Sequence, residues 1–301
     1  MSGPSPSDAS SSRAESGLQS HGPAIKVEHI KKAYGDNVVL NDISFELERG
    51  RVYVIMGPSG CGKSTLLRAM IGAEEPDAGT VFIDGVDTWA ADKKAREEAR
   101  RKFGVLFQGS ALLNALTVAE NVALPITRHT DLLKSTVDLM VKLKLELVGM
   151  GDAADKYPYE ISGGMKKRAG LARAIALDPA IVFFDEPNSG LDPVMVGVID
   201  KLIRDLTIKL GITSVLITHD MASIFRIADE VLMLYGGRIV FRGTPDQLRT
   251  TTSPLVRQFV NGDPEGPINA PRQLAELSQA LFGASRPVTG EYQAPGERDK
   301  P

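Results

Sequence analysis

The sequence predicts an α/β fold: a mostly parallel core sheet, an antiparallel β flank and an inserted helical subdomain. Three observations predict it. Short apolar runs at Val52–Met56, Ile181–Phe184 and Ser214–Thr218 have the length and bulk of strands buried on both faces. Helical patterns lie between such runs; Ile199, Leu202, Ile203, Leu206 and Leu210 form one apolar stripe, with Gly211 as its stop signal. From about Ser110 to Pro179 the pattern is mainly helical. Alternating strands and helices imply a parallel sheet covered on both faces.

Taken in order, the elements begin after a tail. Residues 1–24 are rich in Ser, Gly and Pro, bury little apolar surface and are expected to be disordered. Ile25 to Leu47 and Thr80 to Asp84 read as hairpin-like strands around turns at Gly35-Asp36-Asn37 and Asp84-Gly85. The α/β core is expected over 25–262, with the helical subdomain at about 110–179. Residues 263–301 form a Pro-rich extension in which Leu274, Leu277 and Leu281 recur at helical spacing, predicting a short helix over 271–283. That helix is either a marginal surface element or one that docks on a partner subunit.

Bulk properties narrow the function. The chain has 301 residues, a net charge of -3 and 24% charged residues, a balance that argues against nucleic acid as the main partner. Cys61 is the one cysteine, which excludes an intrachain disulfide and fits a reducing compartment. No run approaches the roughly 20 apolar residues of a membrane helix, and the N-terminal residues lack an apolar signal segment. The protein is expected to be cytosolic, reaching a membrane only through a partner.

Gly57-Pro58-Ser59-Gly60-Cys61-Gly62-Lys63-Ser64 matches the P-loop pattern in full, with Thr65 next. It follows a buried strand and opens a helix carrying Leu66, Leu67 and Met70. Glycines let the loop's N–H groups turn inward around a β-phosphate, and the helix start adds partial positive charge. Lys63 is expected at the β- and γ-phosphates of ATP and the Ser64 hydroxyl on Mg²⁺. The run Ile181-Val182-Phe183-Phe184 ends in Asp185-Glu186. A strand end there delivers Asp185 to Mg²⁺ and Glu186 to the attacking water.

Ile161-Ser162-Gly163-Gly164-Met165 precedes a basic stretch, Lys166-Lys167-Arg168. It resembles the signature motif of the ABC ATPases, usually Leu-Ser-Gly-Gly-Gln. Its logic is a second anion-binding helix start. Single residues join the resemblance. Gln108, after Phe103–Phe107, fits the Q-loop that senses Mg²⁺, and His219, after Thr218, fits the switch histidine at the γ-phosphate. Ser189-Gly190-Leu191-Asp192 resembles the D-loop that crosses the dimer interface. Tyr34 fits the aromatic that stacks on adenine; alone, it reads as a strand tyrosine packed in the flank. The resemblance spans residues 25–262 and implies a P-loop NTPase of the ABC cassette fold. One cassette has one P-loop and one signature, so it implies a head-to-tail homodimer in which Ser162, Gly163, Gly164, Met165 and Asp192 serve the opposite subunit's nucleotide.

A narrower resemblance is to the Mla/Mce-associated ATPases of bacterial phospholipid transport. It rests on the run from Ile161 to Ala174 with Met165 in place of Gln, on Leu106–Leu113 followed by Asn121–Pro125, and on Ser253–Gly262. It implies an integral membrane permease as partner, an Mce-domain lipid-binding protein in the same complex, and a peripheral location on the cytoplasmic side of the bacterial inner membrane. Two rivals stay open: the motor of a transporter for another cargo, such as an amino acid, peptide or metal chelate, and a regulatory or scaffold ATPase without a transport partner. Leu112, Leu113 and Leu116 are either a permease-docking surface or subdomain core.

Overall fold

The computed structural model describes residues 22–89 and 92–268. Most of both expected tails, including the expected helix over 271–283, lies outside them. The chain divides into two units, residues 1–248 and 249–301.

In chain order the elements are β1 (Ile25–Tyr34), β2 (Asn37–Leu47), β3 (Val52–Met56), α1 (Lys63–Met70), β4 (Ala78–Ile83), β5 (Val86–Asp87), α2 (Lys93–Arg101), β6 (Phe103–Leu106), α3 (Val118–His129), α4 (Lys134–Leu147) and α5 (Gly163–Ala174). Then follow β7 (Ile181–Asp185), α6 (Pro193–Leu210), β8 (Thr213–Ile217), α7 (Met221–Ile227), β9 (Glu230–Tyr235), β10 (Arg238–Gly243), α8 (Pro245–Arg249) and α9 (Pro254–Asn261).

Two sheets organise the first unit. One is antiparallel, in the order β2-β1-β4-β5. The other runs β10-β9-β3-β8-β7-β6, parallel from β9 to β6 with β10 as an antiparallel edge. Every residue of β3 and of β8 is buried, as an apolar strand paired on both sides and covered on both faces must be. Between the sheets sits one apolar cluster: Leu66, Leu67 and Met70 of α1 join Ile30 and Leu40 of the flank and Ile55 and Phe183 of the parallel sheet. Phe103 meets Phe183 edge-on, ring centroids 5.5 Å apart. The phosphate loop therefore stands on a helix whose apolar face is gripped from two sides.

The order of the parallel strands positions the site. β3, β8, β7 and β6 lie side by side with the same polarity, so the segments after Met56, Ile217, Asp185 and Leu106 all leave the same edge. That edge is where open α/β sheets bind ligands.

The helices α3, α4 and α5 occupy the stretch expected to be helical. Thr117 and Glu120 form a capping box at the start of α3. Fully buried Asn121 ties Leu113, Leu116 and Thr117 to that helix through hydrogen bonds of 2.8–3.1 Å. The core of this region is Val118, Val122, Ile126, Val137, Val141 and Leu145. Leu113 is exposed and Leu112 and Leu116 half-buried, so that trio is not core. No described helix is long and apolar enough to cross a membrane. In the second unit α9 stops at Gly262, and the buried Gln258 amide accepts from Ile268 N–H (2.7 Å) and donates to Asp263 O (3.1 Å), tying down the segment that follows the helix.

Candidate functional site

The loop 57–62 connects β3 to α1. Gly57 has φ 146°, and a Cβ there would lie 2.2 Å from the Leu234 carbonyl oxygen, so only glycine fits. Lys63 Nζ donates to Gly57 O at 2.7 Å and to Pro58 O at 2.9 Å, drawing its charge over the loop. Ser64 is exposed in the first turn of α1, Thr65 is buried beneath it, and Ser59 and Gly60 are exposed at the loop's tip. No side chain caps α1 and no acidic residue stands in its first turn, so its leading N–H groups and positive dipole end are left for an anion. Burial pushes the Cys61 thiol up despite nearby Lys63, keeping it a neutral packing group.

Asp185 ends β7, one strand away from β8 and two from the phosphate loop's own strand. Burial and then the neighbouring Glu186 carboxylate raise its pKa, while Arg68, Lys167 and Lys63 oppose them. Glu186 adopts a left-handed φ of 46°, its N–H donates to Ile217 O at 2.9 Å, and its Oε1 lies 2.9 Å from His219 Nδ1. The histidine is the exposed member of the pair, 72% against 17% for the glutamate side chain. Gln108 reaches from the other side: its Nε2 donates to Ser189 Oγ at 3.3 Å.

The remaining expected residues sit in their own local structures. Ser162 caps α5, accepting from Met165 N–H at 3.3 Å; Ser162 and Gly163 are exposed, while Gly164 is buried against Met195. Asp192 caps α6 through Val194 and Met195 N–H. Tyr34 presents an exposed ring whose hydroxyl donates to Glu74, with Lys32 Nζ 5.8 Å from the ring centre. Among the described residues, Ser162–Met165 share no hydrogen bond or ion pair with the phosphate loop of the same chain.

Two groups were missed in the sequence. Lys167, read there as part of a basic stretch, is buried, and its ammonium donates to Gln108 O and to Glu186 O (3.2 Å). Helical spacing held the signal, since Lys167 lies on the small-residue face of Gly164, Gly170 and Ala174. The second is a buried network below the 189–192 loop: Asn188 Nδ2 donates to Asp200 Oδ1 and Ser223 Oγ, both at 2.8 Å, and Arg226 pairs with Asp200. No sequence spacing announces it.

The arrangement suits a polyphosphate with a hard divalent cation. A hydroxyl, a carboxylate and phosphate oxygens match Mg²⁺, which takes one or two carboxylates and completes its shell elsewhere. The raised pKa of Asp185 fits too, because a bound cation favours the ionised form that burial disfavours.

A family model described as ABC transporter matches residues 40–189. Curated relatives extend the match. The chain is 40% identical over 259 residues to the probable ribonucleotide transport ATP-binding protein mkl of Mycobacterium leprae, covering 86% of this chain and 75% of that one. It is 38% identical over 258 residues to the intermembrane phospholipid transport system ATP-binding protein MlaF of Haemophilus influenzae, covering 86% and 98%, and 40% identical over 250 residues to MlaF of Escherichia coli K12, covering 83% and 93%. Among solved structures, a dimeric post-hydrolysis state of the ATP-binding cassette MJ0796 bound to ADP and phosphate superposes with TM-score 0.67 at 29% identity, covering 73% of this chain and 98% of that one. The cbiO1 component of the Clostridium perfringens cbiONQ transporter gives TM-score 0.71 at 27% identity, with 86% and 99% covered.

Proposed function

Because the chain belongs to the ABC transporter ATP-binding family, an ATPase family coupled to transport, we propose that it drives a bacterial phospholipid transporter, working as a homodimer beneath a separate membrane permease. The observation that carries the hydrolytic part is the convergence of Lys63, Asp185 and the Glu186–His219 pair at adjacent strand ends.

In this reading the loop 57–65 holds the phosphates of ATP and Tyr34 stacks on its adenine. Ser64, Asp185 and Gln108 would hold Mg²⁺, which would supply charge neutralisation at the transferred phosphate. Glu186 orients and polarises the attacking water, and the hydrogen bond from His219 fixes its carboxylate while the imidazole faces the γ-phosphate. Lys63 stabilises the charge that builds on the transferred group. The Glu186→Gln variant is expected to lose about 10²- to 10⁴-fold in turnover while binding ATP nearly as the parent does. Turnover within a few-fold of the parent would sink the assignment.

The exposed Ser162-Gly163 pair supports a trans role, since a helix start open to the outside is available to another subunit's phosphate. The groove lined by Phe107, Leu124, Pro125, Arg128 and His129 supports permease docking next to Gln108, as does the exposure of Leu113. Closure of the dimer on ATP and its release on phosphate loss would then move that groove.

The cargo assignment rests on the run Ile161–Ala174 with Met165 and on relatives matched over nearly their whole length that carry the intermembrane phospholipid name. It implies a position on the cytoplasmic face of the inner membrane and an Mce-domain lipid-binding protein in the complex. The ribonucleotide name of the mycobacterial relatives favours another cargo. Isolation of the complex from native membranes separates the readings. A permease with an Mce-domain protein and bound phospholipid supports the lipid assignment; a permease without them, stimulated by ribonucleotides, overturns it; a partnerless soluble chain overturns transport altogether.

A further inference from the structure

A lysine is almost never fully buried unless paired, yet Lys167 is 5% exposed and its hydrogen-bond partners are two main-chain carbonyls. One belongs to Gln108 and the other to Glu186, residues distant in sequence and brought together at the strand ends. Lys167 itself stands one turn inside α5, the helix that begins at Ser162-Gly163-Gly164.

The bond to Glu186 completes a constraint on that residue. Its N–H is fixed by Ile217 O (2.9 Å), and its carbonyl accepts from Ser189 N–H (3.2 Å) as well as from Lys167. With both peptide groups held, the residue keeps a φ of 46°, a region that a non-glycine residue occupies only where its surroundings over-determine it. The same helix repeats the device six residues on. Arg173 donates to Ser110 O and Ala111 O, both at 2.7 Å, and these two residues are again left-handed, at φ 60° and 48°. α5 thus clamps both ends of the 108–111 segment.

We infer that Lys167 is a positioning residue for hydrolysis: its ammonium ties the signature helix, the Gln108 segment and the Glu186 main chain together, so that a displacement at the permease-facing loop reaches the hydrolytic carboxylate. The inference rests on the reading of Glu186 as the residue that polarises water.

Steady-state turnover and ATP affinity of the full-length chain with Mg-ATP test it. Lys167→Met keeps the apolar stem and deletes the donors; kcat is expected to fall at least about tenfold, with KM and the ATP Kd within about twofold. Lys167→Arg, which can still donate to both carbonyls, is expected to return kcat to within about threefold of the parent. In a Glu186→Gln background, Lys167→Met is expected to cost no further turnover, the non-additivity of residues acting through one group. If Lys167→Met does not fold, Lys167→Gln, with two N–H donors and no charge, takes its place and is expected to fall between Met and Arg. Unchanged kcat, an equal loss of kcat and ATP affinity, or an additive loss in the double variant would each overturn the inference. A Glu186→Gln chain with parental turnover would instead sink the reading of Glu186, whereas an inactive Glu186→Gln beside a fully active Lys167→Met would sink the Lys167 proposal alone.

Discussion

At the scale of one residue, the electrostatics of Asp185 test its proposed role as a cation ligand. Burial and the Glu186 carboxylate raise its pKa, and Arg68, Lys167 and Lys63 offset only part of that. A carboxyl group whose pKa is higher folded than unfolded binds more protons in the native state, so its effect on stability becomes less favourable as pH rises from the unfolded value of about 3.9 through the folded one. At neutral pH the ionised group is a cost that Mg²⁺ would remove. Asp185→Asn is therefore expected to raise the Tm at pH 7 in metal-free, nucleotide-free buffer, with a gain that shrinks toward pH 4. It should also lose the Tm increase that Mg-ATP confers on the parent. Thermal melts at the two pH values check both signs. The phosphate loop, by contrast, was readable residue by residue in the sequence, because its chemistry depends on neighbours in the chain. For Lys167 helical spacing held only the inward-facing position, because both of its partners come from other segments.

At the scale of the element, α5 joins the signature to the sheet. It packs so closely on β6 that a Cβ at Gly104 would lie 1.9 Å from the Ala174 carbonyl oxygen, a main-chain atom that cannot swing aside. Gly104→Ala is expected to destabilise the fold by about 1–3 kcal/mol and to reduce turnover by shifting α5, with urea unfolding and ATPase assays as the two measurements. Unchanged stability would mean that helix and sheet part without cost. α3, α6 and α7 are closed by Thr117, Asp192 and Asp220, whereas α1 carries no side-chain cap where the phosphate is expected. The sequence predicted α6 from its apolar stripe, α1 from the loop that opens it and a helical stretch over about 110–179, and it left the Leu112, Leu113 and Leu116 trio undecided. Exposure decided it, since the core is filled instead by α3 and α4 side chains.

At the scale of the whole molecule, the proposed homodimer follows from one phosphate loop and one signature per chain, each of which would serve a pocket completed by a second copy. Two inactive variants test this together. Lys63→Ala breaks the phosphate loop and Gly163→Asp places a carboxylate where a phosphate should dock. Each is expected to be inactive alone, whereas an equimolar mixture regains up to about a quarter of the parental turnover, because half of the dimers are mixed and each of those has one intact composite site of two. A mixture as inactive as its components would sink the shared-site arrangement.

The sequence by itself determined what depends on short range. It set which runs are strands, where the phosphate loop opens its helix, and which strand ends in paired carboxylates, because burial pattern and local backbone chemistry are written in consecutive residues. The tertiary structure alone decided that β3, β8, β7 and β6 lie side by side, which brings Lys63, His219, Glu186 and Gln108 to one edge. It also decided that Lys167 meets the Gln108 and Glu186 carbonyls and that Asn188 joins Asp200 and Ser223 beneath the loop. Those facts are contacts between segments far apart in the chain, and strand order and side-chain burial, not sequence spacing, fix them.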